Sequence, residues 1–263
     1  MGLITLYSPI APLLNSESRV FCWIAMVEID ESLCVGCGSC TFYCPVEALT
    51  LVDQKARVNL ELCVECGTCI RAEVCPVDAI SMPEFDEIRE TRHYLSDPTT
   101  TKKLTGVPGR GTEEVKTNDV TGRIKRGEAG ICVELGRPGV GTSFRDVEKV
   151  TRALAELGVR FEEMNPVTAL IVDESGALDE KIVDERVLSG IVEAKIEEER
   201  LPEVIGALRR LEGELDTVFS LGVICRFDEE GGIPALKIIE GTGVEVRPNS
   251  KVNVGLGKPL SEA

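Results

Sequence analysis

The chain has 263 residues and a mass of 28.5 kDa, which is enough for a small metal-binding module and one further domain. Its formal net charge is −16 at pH 7, so nucleic acid and anionic membranes are poor partners for most of its surface. Such an acidic surface instead suits a partner protein with a basic docking surface.

Residues 1–25 contain an apolar stretch from Leu3 to Leu14 that Pro9 and Pro12 interrupt. The stretch is too short for a membrane span, and it lacks the basic start of a signal peptide. Met26 begins the segment that leads into the first cysteines. We therefore expect residues 1–25 to be a dispensable or wrongly included extension, and we predict no membrane span.

Eight cysteines follow in two runs that each end in a Cys-Pro pair. The runs have the forms C-x2-C-x2-C-x3-C-P and C-x2-C-x2-C-x5-C-P, and their cysteines are Cys34, Cys37, Cys40, Cys44, Cys63, Cys66, Cys69 and Cys75. A tight loop brings sulfurs at i, i+3 and i+6 around one face of an iron–sulfur cube, while the fourth ligand comes from elsewhere. The spacing therefore indicates iron–sulfur clusters and electron transport.

Disulfides and zinc are the alternative interpretations of these cysteines. A disulfide framework is disfavoured because no export signal is visible and the cysteines form CxxCxxC triplets. Zinc sites typically use CxxC pairs and do not need a third closely spaced thiolate.

The two runs lie in an internal repeat, in which residues 29–35 parallel 58–64 and residues 45–49 parallel 76–80. With these motifs, residues 26–85 resemble the bacterial- and archaeal-type dicluster ferredoxins. The resemblance implies two 4Fe-4S clusters in which each run supplies one ligand to the other cluster. Cluster 1 would be held by Cys34, Cys37, Cys40 and Cys75, and cluster 2 by Cys63, Cys66, Cys69 and Cys44. The acidic, Val/Glu-rich composition is also similar to that of iron–sulfur proteins of anaerobic archaea, including polyferredoxin-like subunits of methanogens.

The two runs differ at one loop position and in one spacing. Glu65 stands where the first run has Gly36, and the spacing before Cys75 is two residues longer than that before Cys44. An added carboxylate should disfavour the extra electron of a reduced cluster. The sequence therefore predicts two unlike clusters, with cluster 2 made harder to reduce by Glu65.

Three further cysteines and one histidine lie outside the runs. We expect Cys132 and Cys225 to be small buried hydrophobic residues on apolar strands, while Cys22 falls in the N-terminal extension. With no second histidine in the chain, His93 is predicted to lie on the surface or in a linker and not to bind metal. Reduced cysteines favour a cytoplasmic and anoxic setting.

Residues 96–128 are rich in Thr, Gly and charge, and they have more basic than acidic residues. We predict a linker that follows a dicluster domain at residues 26–95. One interpretation is a flexible tether whose basic groups lie on an acidic domain, and the other is a docking strap for a partner protein. Charge reversal at Lys125 and Arg126 would distinguish the two, because only a strap would lose its partner.

Residues 129–263 alternate between predicted strands and amphipathic helices. The helices are predicted at 144–157, with Ser143 and Asp146 as a capping box, and at 201–211; the strands are predicted at 131–135, 159–161, 167–172, 190–196 and 217–227. The predicted fold class is α+β: a dicluster ferredoxin fold, a linker, and a C-terminal ferredoxin-like (ACT-like) α/β sandwich.

The Gly-rich loop at residues 136–143 precedes the first of these helices. It has neither a Walker ending nor GxGxxG spacing. A structural loop is one interpretation; the other is a site for a small anionic ligand or a partner's carboxylates at Arg137 and Arg145.

The C-terminal domain contains no catalytic constellation, so we expect a non-catalytic electron carrier or an electron-transfer subunit of an oxidoreductase. The leading hypothesis is a low-potential electron carrier with two 4Fe-4S clusters, which passes single electrons between redox enzymes or subunits of an anaerobic oxidoreductase complex. One alternative is a redox- or ligand-sensing regulatory protein with an ACT-like domain. Another is an accessory electron donor to a cofactor-activating or sulfur-transfer enzyme.

Overall fold

A computed structural model of the chain describes residues 27–100, 118–137 and 139–246. The predicted extension at 1–25 with Cys22, most of the predicted linker and the end of the C-terminal domain lie outside the described residues. The strands are β1 (Glu28–Ile29), β2 (Leu49–Val52), β3 (Lys55–Val58), β4 (Ile80–Ser81), β5 (Glu128–Leu135), β6 (Thr142–Ser143), β7 (Arg160–Phe161), β8 (Arg186–Val187), β9 (Gly190–Glu197) and β10 (Phe219–Ile224). The helices are α1 (Ser39–Phe42), α2 (Thr68–Arg71), α3 (Glu87–Ser96), α4 (Asn118–Thr121), α5 (Phe144–Glu156), α6 (Leu201–Leu211) and α7 (Pro234–Glu240).

The N-terminal module, residues 27–82, is built from two similar halves. Strands β1 and β4 pair antiparallel, as do β2 and β3. Each half has one short helix, α1 or α2, that follows a glycine with positive φ, Gly38 at 75° or Gly67 at 68°. Only glycine adopts this conformation without steric cost, so the glycines let the chain turn sharply into each helix.

Helix α3 joins the module to the C-terminal unit, residues 128–246. It begins at Asp86, whose carboxylate accepts a hydrogen bond from the amide of Arg89 at 2.9 Å. Near its end, Tyr94 and Leu95 pack into the core of the C-terminal unit. The prediction that His93 lies on the surface or in a linker is wrong, because His93 lies within α3 with its side chain 17% exposed. The sequence pattern missed α3 because its buried face includes Arg89 and Arg92, which leave no apolar periodicity to detect.

The C-terminal unit is an antiparallel sheet with two helices packed on one face. The strand order is β10-β5-β9-β7, with α5 between β5 and β7 in the chain and α6 between β9 and β10. The core-facing residues of β5, namely Ile131, Val133 and Leu135, are fully buried against both helices. On α5, Phe144, Val147, Val150 and Leu154 are also fully buried. The α+β class and this amphipathic helix are therefore as predicted.

The strand predicted at 167–172 is wrong. The structure has a 3-10 helix at Thr168–Leu170 and a single bridge between Ile171 and Leu178. The side chain of Asn165 accepts a hydrogen bond from the amide of Val167 at 2.8 Å, and this local bond competes with strand pairing. The chain turns here instead of extending.

The described end of the predicted linker lies against the C-terminal unit. At the start of helix α4, the side chain of Asn118 forms hydrogen bonds with both the amide and the carbonyl of Ile124. Ile124 is only 2% exposed. Arg126 pairs with Glu229 at 3.2 Å, which favours the tether interpretation for this part of the linker. Among the described residues, none of the helices is long and apolar enough to cross a membrane.

Candidate functional site

The cysteines of the two runs surround two hollows in the N-terminal module. Cys34, Cys37, Cys40 and Cys75 line one hollow. Cys44, Cys63, Cys66 and Cys69 line a second. The structure thus brings together the same two sets that the resemblance implies, with one cysteine exchanged between the runs.

The first hollow is closed by the β2–β3 hairpin. Gly36 has φ of 68°, and a Cβ at this position would overlap the carbonyl oxygen of Gln54 at the hairpin tip. The amide of Ala56 on β3 donates to the sulfur of Cys34 at 3.4 Å. The glycine is therefore needed both for its backbone angle and for the close approach of the hairpin.

The cysteine before each proline accepts a hydrogen bond from a backbone amide four residues later. Ala48 donates to Cys44 at 3.1 Å and Ala79 donates to Cys75 at 3.2 Å. Such N–H···S bonds stabilise the negative charge on a thiolate that binds iron, and they influence the cluster potential. N–H···S bonds are thus present at equivalent positions of both halves.

The second hollow is closed by charged side chains. Glu65 has φ of 55° and is fully buried, with its carboxylate bound to the guanidinium of Arg89. Arg92 donates to the carbonyl oxygen of Cys63, and Arg71 donates to that of Cys66 at 2.7 Å. The ring nitrogen Nδ1 of His93 lies 2.6 Å from the carbonyl oxygen of Glu65.

These contacts change the role that the sequence predicts for Glu65. A lone carboxylate would disfavour reduction of cluster 2, but Arg89 neutralises this one, and Arg92 adds a further positive charge. The two loops do differ, so unlike clusters remain a prediction, but Glu65 no longer supports the sign by itself, because the sequence does not show that Arg89 lies beside it.

Burial differs between the two cysteine sets. Cys37 is exposed, whereas Cys63, Cys66 and Cys69 are each 8–9% exposed. Burial raises the pKa of Cys63 to about 11 and that of Cys69 to about 12. A hydrogen bond from the amide of Ser39 lowers the pKa of Cys37. Metal binding at the second set must therefore displace protons from strongly desolvated thiols.

No group of three or more Cys, His, Asp or Glu side chains in residues 27–100, 118–137 and 139–246 converges on a single metal ion. The hollows fit a larger group. In a cubane each thiolate binds a different iron, so four sulfurs spread around a cavity are the arrangement that a 4Fe-4S cluster needs.

The second hollow lies next to the C-terminal unit. Arg92 pairs with Glu185 at 2.9 Å, and Ser96 accepts a hydrogen bond from the amide of Leu188 at 3.0 Å. The Gly-rich loop contacts the segment after Cys44, since a Cβ on Gly139 would lie 3.6 Å from the carbonyl oxygen of Pro45. This contact favours the structural interpretation of the loop.

The arginines proposed for anion binding already have partners. Arg137 pairs with Glu134 at 3.1 Å, and Arg145 pairs with Asp184.

Cys132 and Cys225 are half-buried and stand apart from both hollows. Arg89, Arg92 and Glu185 are the site residues that sequence reasoning missed, and no motif in the chain marks them.

Two hollows, each ringed by four cysteines in a duplicated module, define a dicluster iron–sulfur protein. A family model described as "4Fe-4S dicluster domain" matches residues 27–82. The chain belongs to the dicluster ferredoxin family through this module, and it holds two 4Fe-4S clusters. No solved structure matches the chain significantly.

Three relatives illustrate the similarity. A ferredoxin of Pyrobaculum islandicum is 43% identical over 56 residues, which are 21% of this chain and 50% of the relative. The pyruvate synthase subunit PorD of Methanothermobacter marburgensis is 35% identical over 54 residues, 20% of this chain and 60% of that protein. A ferredoxin-like protein in the nif region of Sinorhizobium fredii is 33% identical over 60 residues, 21% of this chain and 94% of the relative. The chain thus spans only half to three-fifths of the first two relatives.

Proposed function

We propose that this protein transfers single electrons between redox partners. In this proposal, Cys34, Cys37, Cys40 and Cys75 hold cluster 1, while Cys44, Cys63, Cys66 and Cys69 hold cluster 2. The observation that carries the proposal is the arrangement of these eight cysteines around two neighbouring hollows. Each cluster, when bound, supplies a site that accepts and returns one electron.

Cluster 1 is proposed as the point of exchange with a partner. Cys37 is exposed beside this hollow, and Val35 and Phe42 from the same run are 62% and 90% exposed. Exposed apolar side chains at a redox centre suit a partner that must approach closely and then leave. We further propose that this partner carries a basic docking surface, because the chain has a net charge of −16.

We also propose that the partner is a subunit of an oxidoreductase, which would place the protein in a complex. The support is the similarity to a pyruvate synthase subunit. A reducing, anoxic cytoplasm is the compartment that we propose, because the ligand cysteines must remain reduced.

We propose that the C-terminal unit is a ferredoxin-like (ACT-like) sandwich. Its main elements run β-α-β-β-α-β along the chain, and the sheet order β10-β5-β9-β7 places the first and third of these strands in the centre. Its proposed task is to present the module to a particular partner, since it packs on the side of cluster 2.

The proposal is tested by anaerobic reconstitution with ferrous iron and sulfide. The intact protein should bind about eight irons and undergo two one-electron reductions. The exchange of ligands between runs is tested with paired variants. Cys37→Ser with Cys75→Ser should retain about four irons, because both residues serve cluster 1. Cys66→Ser with Cys75→Ser should lose both clusters.

Two results would overturn the proposal. Binding of far fewer than eight irons by the intact protein would remove the dicluster function itself. Retention of one cluster by the Cys66/Cys75 variant, and of none by the Cys37/Cys75 variant, would instead overturn the ligand assignment.

A further inference from the structure

The first cysteine of each run has its carbonyl oxygen bound by a cation. Nζ of Lys55 lies 2.5 Å from the carbonyl oxygen of Cys34, and Nη2 of Arg92 donates to that of Cys63. Cys34 and Cys63 occupy equivalent positions of the internal repeat. The two halves therefore place a positive charge at the same point of each loop, but they take it from different parts of the chain.

The two cations differ in their exposure to solvent. Lys55 lies on the β2–β3 hairpin and is only partly buried, and it also donates to the exposed carbonyl of Glu31 at 2.8 Å. Arg92 lies on α3 and is 4% exposed. A charge that is shielded from water acts more strongly on its neighbours than a solvated one. Arg92 should therefore affect cluster 2 more than Lys55 affects cluster 1.

The charge of Arg92 is partly offset by a carboxylate of the C-terminal unit. Its Nη1 lies 2.9 Å from Oε2 of Glu185, whose side chain is 30% exposed. Glu65 does not balance it, because Glu65 is bound to Arg89. Within the described residues, Nε of Arg92 is buried and has no hydrogen-bond partner. Glu185 is thus the carboxylate that offsets this cation, and it does so from the solvent side.

We propose that Arg92 is a positioning residue that stabilises the reduced state of cluster 2, and that Glu185 of the C-terminal unit limits this effect. The proposal rests on the ligand assignment given under the proposed function. When one electron from an external donor enters, the charge of a cubane with its four thiolates goes from about −2 to about −3, and no bond is formed or broken. A buried guanidinium beside a ligand's carbonyl favours the more negative state.

The test uses the full-length reconstituted protein, reduced anaerobically with dithionite and followed by redox-poised EPR. Arg92→Gln should make reduction of one cluster at least about tenfold less favourable, which lowers its midpoint potential by about 59 mV or more. Arg92→Lys keeps the charge and should restore most of the loss. Glu185→Gln keeps a hydrogen-bonding side chain but removes the opposing charge, so it should raise the same midpoint.

Lys55→Gln is the matched control at cluster 1. It should lower the midpoint potential of cluster 1, and by less than Arg92→Gln lowers that of cluster 2. At about 1 M salt, where exposed charges are screened within about 3 Å, the Lys55 effect should fade and the Arg92 effect should persist.

Arg92→Gln should lower the midpoint potential and Glu185→Gln should raise it. These opposite shifts distinguish an electrostatic effect from structural damage, because damage would not raise the midpoint. The proposal is overturned if Glu185→Gln lowers the midpoint or leaves it unchanged, or if Arg92→Gln shifts both midpoints equally. If Arg92→Gln does not bind about eight irons, the Glu185→Gln result decides alone. Failure of the unaltered protein to load both clusters would count against the proposed function. The iron content of that protein measures this outcome separately from the midpoint potentials.

Discussion

Glu65 and Arg89 form an ion pair that is almost completely shielded from water, with side chains 0% and 8% exposed. Nε of Arg89 lies 2.9 Å from Oε1 of Glu65, while Oε2 is buried without a hydrogen-bond partner among the described residues. The pair connects the loop between Cys63 and Cys66 to helix α3, and so it connects cluster 2 to the element that enters the C-terminal core.

Removal of one member of this pair should destabilise the protein strongly. Arg89→Met leaves a buried carboxylate without its cation, which typically costs about 3–5 kcal/mol. The double change Glu65→Gly and Arg89→Met should reduce the free energy of unfolding much less, because it removes both charges and places glycine at a positive φ. Anaerobic denaturant unfolding of the cluster-loaded protein measures this free energy for the single and the double variant. Equal losses in the single and double variants would contradict this account.

Gly36→Ala should prevent formation of cluster 1. The added Cβ would overlap the carbonyl of Gln54, so the loop or the hairpin must move away. We expect the iron content to fall from about eight to about four per chain. Gly158→Ala is the matched control, because Gly158 has a similar φ of 66°, but no atom from a distant part of the described chain lies within 4 Å of the point where its Cβ would lie.

The control should cost only the backbone strain of a non-glycine residue at positive φ, about 1–2 kcal/mol, and it should keep both clusters. If Gly36→Ala retained about eight irons, the close approach of the hairpin would not be needed for cluster 1.

Cluster 1 should be lost before cluster 2 when the protein meets a ferrous chelator. Cys37 is exposed, whereas the three cysteines of the second run that line the other hollow are nearly buried. Solvent and chelator therefore reach the first site more easily. Iron release followed anaerobically by absorbance should have two phases of similar amplitude, and a single phase would show that exposure does not control the loss.

Ser143→Ala should destabilise the C-terminal unit by about 1 kcal/mol. Oγ of Ser143 accepts a hydrogen bond from the amide of Asp146 at 3.2 Å, which satisfies an otherwise free donor at the start of α5. Ser143→Thr should retain most of the stability, since its hydroxyl can also cap the helix and donate to the carboxylate of Asp146, which lies 3.1 Å from Oγ of Ser143. The measurement is the unfolding midpoint of the C-terminal unit, and a loss as large for threonine as for alanine would contradict the capping role.

Local patterns predicted much of the C-terminal unit. The apolar face of α5 and its cap at Ser143 follow from residues within one or two turns of each other, and the structure has both. The strand expected at 167–172 failed because the side chain of Asn165 captures the amide of Val167, a local competitor that hydrophobicity does not reveal. Helix α3 escaped detection since two of its buried residues are arginines.

The sequence by itself determined that this is a dicluster iron–sulfur protein, because the spacing of the cysteines dictates which sulfurs a tight loop brings together. Only the tertiary structure decided the electrostatic surroundings of those clusters. Glu65 meets Arg89 across 24 residues of chain, and Arg92 meets Glu185 across 93. Loop spacing is a local property, whereas the partner of a buried charge depends on how distant segments pack.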